Sequence, residues 1–170
     1  GLLLSCIFDD DPCIQFESMM LTYALREEVP LGDYRIPLGV AKVKREGSDI
    51  TLITYGWQVM HCLKAAAELA KEGISAEVLD LRTLMPWDRG MVLASVRRTG
   101  RVLVLHEAPL TGGFGGELAA VIGREAFESL DAPVMRLGGL DTPIPFSKAL
   151  EAIFSAQGRV DEALEDLLKY

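Results

Sequence analysis

Basic charge is the first thing this sequence is short of. Its 17 Lys and Arg face 25 Asp and Glu, for a net charge of −8. A surface that follows a phosphate backbone needs a concentration of Lys and Arg, so the balance excludes nucleic acid as a partner. Long apolar runs are missing too. No stretch approaches the roughly 20 apolar residues of a membrane-crossing helix. The opening run Gly1 to Ile7 lacks the basic flank of a signal peptide and is of strand length. Cys6, Cys13 and Cys62 are odd in number and form neither a CxxC pair nor a zinc-ligand spacing with the two histidines. They read as reduced thiols, which suits a cytoplasmic or organelle-matrix protein. Also missing are a nucleophile elbow, an HExxH helix, a GxxxxGK[ST] loop and an activated-cysteine motif. The residues alone describe a fold without a complete active site.

What is present has the balance of one α/β domain with a piece of something else attached. At 170 residues the chain can bury a substantial core without disulfides. Of the net charge, −5 falls in residues 1–30, which read as the tail of a preceding domain. Residues 31–37 and the Pro30 before them have linker composition, with two prolines and a glycine in eight positions. From Asp49 onward strand and helix patterns alternate. Ile50 to Tyr55 is a β-branched run ending at Gly56, and the following helix places Val59, Leu63, Ala66, Ala67 and Ala70 on one face, closed by Gly73. Ala76 to Leu81 is a second strand. Asp88 caps a helix that ends at Arg97-Arg98 before Gly100. Arg101 to Leu105 is a short apolar strand of the doubly covered kind. Leu118, Ile122, Ala126 and Leu130 mark a helix face, and Pro133 to Leu137 a fourth strand. Two helices close the chain, one after Ser147 and one carrying Val160, Leu164, Leu167 and Leu168. The order predicts a three-layer αβα domain with a mainly parallel sheet.

The sharpest local feature is His106 to Glu117, which follows a strand and opens a helix through Gly112, Gly113, Gly115 and Gly116. Such a turn lets helix amides approach a phosphate at the carboxyl end of a sheet. The dinucleotide template fits poorly. Counting from Gly113 it requires glycine at Leu118, and Glu117 puts negative charge where the anion should sit. A tight turn allowing close helix packing is the favoured reading. His106 and Glu107 could form an acid–base pair, but adjacent strand residues point to opposite faces. A structural or interface role for His106 is favoured over catalysis. His61 falls on a polar helix face with Ala65, Glu68 and Glu72 and reads as solvated. Asp9-Asp10-Asp11, just after the opening strand-length run, offer oxygen ligands to a hard cation, or form a solvated loop.

Several stretches together resemble the β subunit of the decarboxylating component of 2-oxo acid dehydrogenase complexes, within the transketolase-like family. They are Gly1 to Ile7, Asp11 to Ile14, Arg35 to Gly39, Glu46 to Leu52, Asp80 to Asp88, His106 to Glu117, and Asp131 to Pro133. The wording around Pro86-Trp87-Asp88 and His106 to Phe114 is most similar to branched-chain 2-oxo acid enzymes, with pyruvate and acetoin relatives sharing the framework. Phe16-Glu17-Ser18-Met19 departs from the Phe-Glu-Pro-Lys usual in branched-chain members.

The resemblance implies that residues 1–30 end a pyrimidine-binding domain and residues 38–170 form a transketolase carboxy-terminal domain. It implies oxidative decarboxylation of a branched-chain 2-oxo acid or pyruvate, with acyl transfer to lipoyl, in the cytoplasm of a prokaryote or the mitochondrial matrix. Thiamine diphosphate and magnesium would sit elsewhere in the assembly, so no catalytic or cofactor-binding residue is expected here and the isolated chain is expected to be inactive. Half of a potassium site is implied at Cys6, Ile7, Asp9 and Asp11. The implied partners are the α subunit, a second β subunit, and the subunit-binding domain of the dihydrolipoyl acyltransferase. For the last, Asp161, Glu162, Glu165, Asp166 and Tyr170 of the terminal helix form the candidate acidic docking surface. The rival reading is a stand-alone Rossmann-like nucleotide- or flavin-binding module using Gly112 to Gly116.

Overall fold

The computed structural model describes residues 1–170. Five strands, Lys42–Arg45 (β1), Ile50–Thr54 (β2), Ala76–Asp80 (β3), Val102–Pro109 (β4) and Met135–Gly139 (β5), form one sheet in the order β1-β3-β2-β4-β5. β2, β3, β4 and β5 run parallel, and β1 is antiparallel to β3 at one edge. The helices are Leu2–Ile7 (α1), Met19–Ala24 (α2), Gln58–Lys71 (α3), Arg89–Thr99 (α4), Gly115–Glu125 (α5), Lys148–Phe154 (α6) and Val160–Leu168 (α7).

Alternation along the strands divides the core into two layers. Leu52, Val78, Leu103 and Leu105 face α3 and α7, where they meet Cys62, Ala66, Leu69, Val160, Leu164 and Leu167. Ile53, Leu79, Val102 and Val104 face α4 and α5, where they meet Val92, Val96, Leu118 and Ile122. Helices thus cover both faces, which is why every residue of β2 is buried and the strand reads as an unbroken apolar and β-branched run. The three-layer parallel expectation holds.

Helix α4 begins and ends where its sequence signals lie. Asp88 Oδ1 accepts from Met91 N at 2.9 Å, and Gly100 closes the helix at φ 67°. Asp88 does a second task, since its Oδ2 accepts from Ala41 N at 3.0 Å while Thr83 Oγ1 accepts from Gly39 N at 3.0 Å. The loop between β3 and α4 therefore fastens the chain's entry into the sheet. Ala41 is the first buried residue, and nothing before it contributes to the core.

Three expectations are corrected, and one strand had none. The opening run is a helix, α1, and the acids Asp9 to Asp11 follow a helix rather than a strand. Its leucines are good helix formers, and the segment satisfies its backbone locally through Ser5 N to Gly1 O and Phe8 N to Leu4 O, whereas a strand needs a partner. The buried face of α3 is Gln58, Val59, Cys62, Ala65, Ala66 and Leu69, leaving Ala67 and Ala70 exposed. His61 is half-buried with its ring edge-on to Trp57 at 5.7 Å, and its Nε2 is buried without a hydrogen-bond partner. Finally, β1 carried no sequence signal, because its Lys-Val-Lys-Arg is the charged, short kind of strand that protects a sheet edge.

Candidate functional site

The chain leaves β2 towards β3 on one side, whereas β4 leads to β5 on the other. In an open α/β sheet that reversal opens a crevice at the carboxyl ends of the two central strands. Here the crevice would be lined by Tyr55 and Gly56 after β2 and by His106 and Glu107 on β4. Adjacent strand residues diverge as expected: His106 is fully buried and Glu107 exposed.

The imidazole closes the crevice. His106 Nδ1 lies 2.9 Å from Ala108 O, and since a carbonyl only accepts, Nδ1 carries the proton. Nε2 is then a bare lone pair, buried with no partner in the chain. Tyr55 stacks against the ring at 6.2 Å between centroids and 21° between planes. Burial pushes the His106 pKa down, Arg136 adds to the effect, and the bond to Ala108 opposes it. The ring is neutral because a charge there would have neither water nor a counter-ion. Although Glu107 as a whole residue is exposed, partial burial of its carboxyl pushes it up, and burial pushes Tyr55 up with the neighbouring Glu107 adding to it.

Glycines from the turn into α5 and from strand β5 press on this ring. A Cβ at Gly113 would stand 2.7 Å from Cε1, one at Gly115 2.6 Å from Cδ2, and one at Gly138 2.9 Å from Cε1. The loops are pinned over it: Thr111 Oγ1 donates to Asp141 Oδ2 at 2.6 Å, Arg136 Nη1 to Leu110 O at 3.2 Å, and Arg159 Nη2 to Gly138 O at 2.6 Å. The bonds from Thr111 hold the Asp141 carboxyl below its ordinary range. At the start of α5, Gly116 N is bound to Gly113 O and Leu118 N to Phe114 O, with Glu117 in the first turn. The turn is therefore shaped around a histidine, not a phosphate. The signal that could have revealed this, glycine at 113, 115 and 138, is split between the turn into α5 and the distant strand β5.

The candidate cation loop lies apart from the sheet. Cys6 and Ile7 end α1, and Asp9 and Asp11 form the turn after it, where Asp11 N donates to Asp9 Oδ1 at 3.0 Å. No group of three or more His, Cys, Asp or Glu converges anywhere as metal ligands. Two surface clefts have volumes of about 410 and 350 Å³. The first is lined by Arg97 and Arg124 but also by Glu125 and Glu128, and the second lies under Tyr170. Asp161, Glu162, Glu165 and Asp166 all stand exposed on α7, opposite its buried Val160, Leu164 and Leu167. Lys169 Nζ pairs with Asp166 at 2.7 Å, which offsets part of that charge, and Tyr170 is exposed. No helix is long and apolar enough to cross a membrane.

Residues 39–159 match the family described as Transketolase, C-terminal domain. The chain belongs to that family. The chain is 53% identical over 145 residues to the mitochondrial 2-oxoisovalerate dehydrogenase subunit beta 2 of Arabidopsis thaliana. It is 50% identical over 149 residues to the pyruvate dehydrogenase E1 component subunit beta of Bacillus subtilis. These matches cover 85% and 88% of this chain, which in turn spans 40% and 46% of those relatives. A solved structure titled as a split-gene transketolase, inactive beta4 tetramer, superimposes with a TM-score of 0.68 at 33% identity, covering 84% of this chain and 46% of that one.

Proposed function

We propose that the chain is part of the β subunit of a thiamine-diphosphate-dependent 2-oxo acid dehydrogenase of branched-chain or pyruvate type, and that it serves assembly and acyltransferase docking rather than the chemistry itself. The observation that carries this is identity of 50% or more to β subunits of both types across at least 85% of the chain. The plugged crevice at the switch point supports the second half, and weighs against the nucleotide-module alternative. When bound in the whole assembly, thiamine diphosphate with magnesium supplies the carbanion chemistry. The residues of this chain hold the fold that neighbours pack against. Ile144, Phe146, Leu150 and Ile153 lie exposed within ten residues of sequence, the composition of a surface that meets an α subunit or a second β subunit. We read residues 1–30 as the end of a pyrimidine-binding domain, 31–37 as linker and 38–170 as the carboxy-terminal domain, a division supported by the first buried residue at Ala41.

The cation half-site of Cys6, Ile7, Asp9 and Asp11 is proposed to bind potassium weakly on its own, because one short loop leaves most of the ion's shell to water. The acids of α7 are proposed to receive a basic acyltransferase domain. Binding of that domain should weaken with added salt and with charge reversal at Asp161, Glu162, Glu165 and Asp166. Indifference to both overturns the docking role. Turnover of a 2-oxo acid by the chain with thiamine diphosphate and magnesium overturns the non-catalytic role, and saturable FAD or NAD binding revives the nucleotide module.

A further inference from the structure

Strand pairing between β4 and β5 ends at Pro109 opposite Gly139, and the chain then crosses His106 to reach α5. Three side-chain bonds fasten this crossing from outside. Thr111 N and Oγ1 donate to Asp141 Oδ1 and Oδ2 at 3.2 and 2.6 Å, and Arg136 Nη1 donates to Leu110 O at 3.2 Å. Thr111, Gly112 and Asp141 are all exposed. Gly112 has φ 73°, and a Cβ there would meet nothing within 4 Å, so the tip has room to move outward. On its inner side the crossing rests on the imidazole through Gly113 and Gly115.

No carboxylate is placed to balance a charge on that ring. On β4 itself Glu107 lies on the other face, with Oε2 3.9 Å from where a Cβ of Gly56 would stand. The end of β2 brings only the phenol of Tyr55, stacked on the ring. From β5 comes Arg136, a like charge, and from the turn before α7 comes Arg159, bound to Gly138 O. Asp141 is engaged by Thr111, and Glu117 in the first turn of α5 is exposed. While the crossing is closed, Nδ1–H is spent on Ala108 O and Nε2 faces Gly115. A proton on Nε2 creates a second donor with no acceptor in reach. Once the crossing lifts, the same N–H finds water.

We propose that Leu110 to Gly115 form a pH-sensitive lid, closed over neutral His106 and opened when Nε2 takes a proton, which uncovers the crevice between β2 and β4. The sign follows from the two environments. Burial and Arg136 hold the closed ring below its ordinary value, whereas a ring in water titrates near about 6.5. Falling pH therefore favours the open lid, by at most about tenfold between pH 7.5 and 5.5.

Amide exchange of the full chain, followed by NMR between about pH 7.5 and 5.5 and corrected for the intrinsic rate at each pH, tests the lid. The amides of Thr111 and Gly116, bound to Asp141 and Gly113, report lid opening, while those of β2 and β3 report global unfolding. Lid amides should open at least about tenfold more often than β2 and β3 at every pH. Their opening constant should rise towards the tenfold limit as the pH falls, and His106→Asn should remove the rise. Linkage also runs in reverse. Thr111→Ala loosens the lid at neutral pH, so it should move the His106 titration up towards 6.5 in ring NMR spectra, with His61→Gln assigning the two rings. Lid amides that open only as often as β2 and β3, an opening constant indifferent to pH, an equal rise in His106→Asn, or a His106 titration unmoved by Thr111→Ala each overturn the proposal.

Discussion

Replacing Gly115 with Ala tests whether the imidazole and the glycine turn are one packed unit. The new methyl would stand 2.6 Å from His106 Cδ2, closer still to Nε2, and 3.2 Å from Val104 Cγ1. The ring has nowhere to retreat. Its far side faces the backbone at Gly113 and Gly138, and its Nδ1 is tied to Ala108 O. Overpacking of this kind costs about 1–3 kcal/mol, from which up to about 1 kcal/mol of gained helix propensity is subtracted. Gly123 lies in the same helix with nothing within 4 Å of its would-be Cβ, so Gly123→Ala keeps the propensity gain and meets no clash. The two variants should therefore differ by roughly 2 kcal/mol in opposite directions from the parent. Urea denaturation followed by far-UV circular dichroism measures both. Repeating Gly115→Ala in a His106→Ala background should erase the penalty, since the methyl then has a cavity to enter. Equal stability of the two alanine variants, or an equal penalty with and without the ring, refutes the cradle.

Asp88→Ala removes a helix cap and the acceptor for Ala41 N together, so it should cost roughly 2 kcal/mol by denaturant melt, with Asp88→Asn costing less because one acceptor survives. Glu77 is fully buried against Arg98 and 3.3 Å from Thr51 Oγ1, while Arg98 is half in solvent. Arg98→Ala should therefore destabilise by about 3 kcal/mol, more than Glu77→Gln, because it strands the buried carboxylate whereas a freed arginine reaches water; the same melts rank the two. Both histidines have folded-state pKa values below 6.5, so the folded chain refuses protons that the unfolded chain takes up. Their stabilising contribution is complete above pH 6.5 and falls as the pH drops towards the folded values, by at most about 1.4 kcal/mol per pH unit for each. Glu107 and Asp80, pushed up in the fold, act in the opposite sense, so the histidine part is read as a difference: melts from about pH 7.5 to 5.5 on the parent and on His106→Asn should show a flatter slope for the variant.

The parallel sheet was legible because burial on both faces writes continuous apolar runs, and α4 because Asp88 and Gly100 carry specific chemistry for its two ends. The face of α3 was not, since Ala65, Ala66, Ala67 and Ala70 are alike to any hydropathy argument. Only the packing against β2 and β3 decides which of them is covered. β4 runs beyond Leu105 because β5 continues to pair with it as far as Pro109 opposite Gly139. The polar pair His106-Glu107 had looked like the strand's end. Period alone could not type the opening run, where local hydrogen bonds rather than a sheet partner decided for helix. The glycines showed that something approaches closely. They could not say it was the histidine a few residues before, since Gly138 comes from another strand.

These placements bear directly on where function can reside. A sheet of this order ordinarily offers its carboxyl end to a ligand, through a neutral cavity with free amides and a few convergent polar groups. Here Tyr55 and the imidazole fill that position, and bonds from Thr111, Arg136 and Arg159 hold the loops down. Opening the crevice would expose the ring and break those bonds together, a cost that a small ligand must meet before gaining any affinity. A macromolecular partner faces no such cost at the outer surface, where the acids of α7 and the apolar residues from Ile144 to Ile153 already stand in solvent. Under the proposed assembly role, the division is thus between a closed end that confers rigidity and an open exterior left free for neighbours.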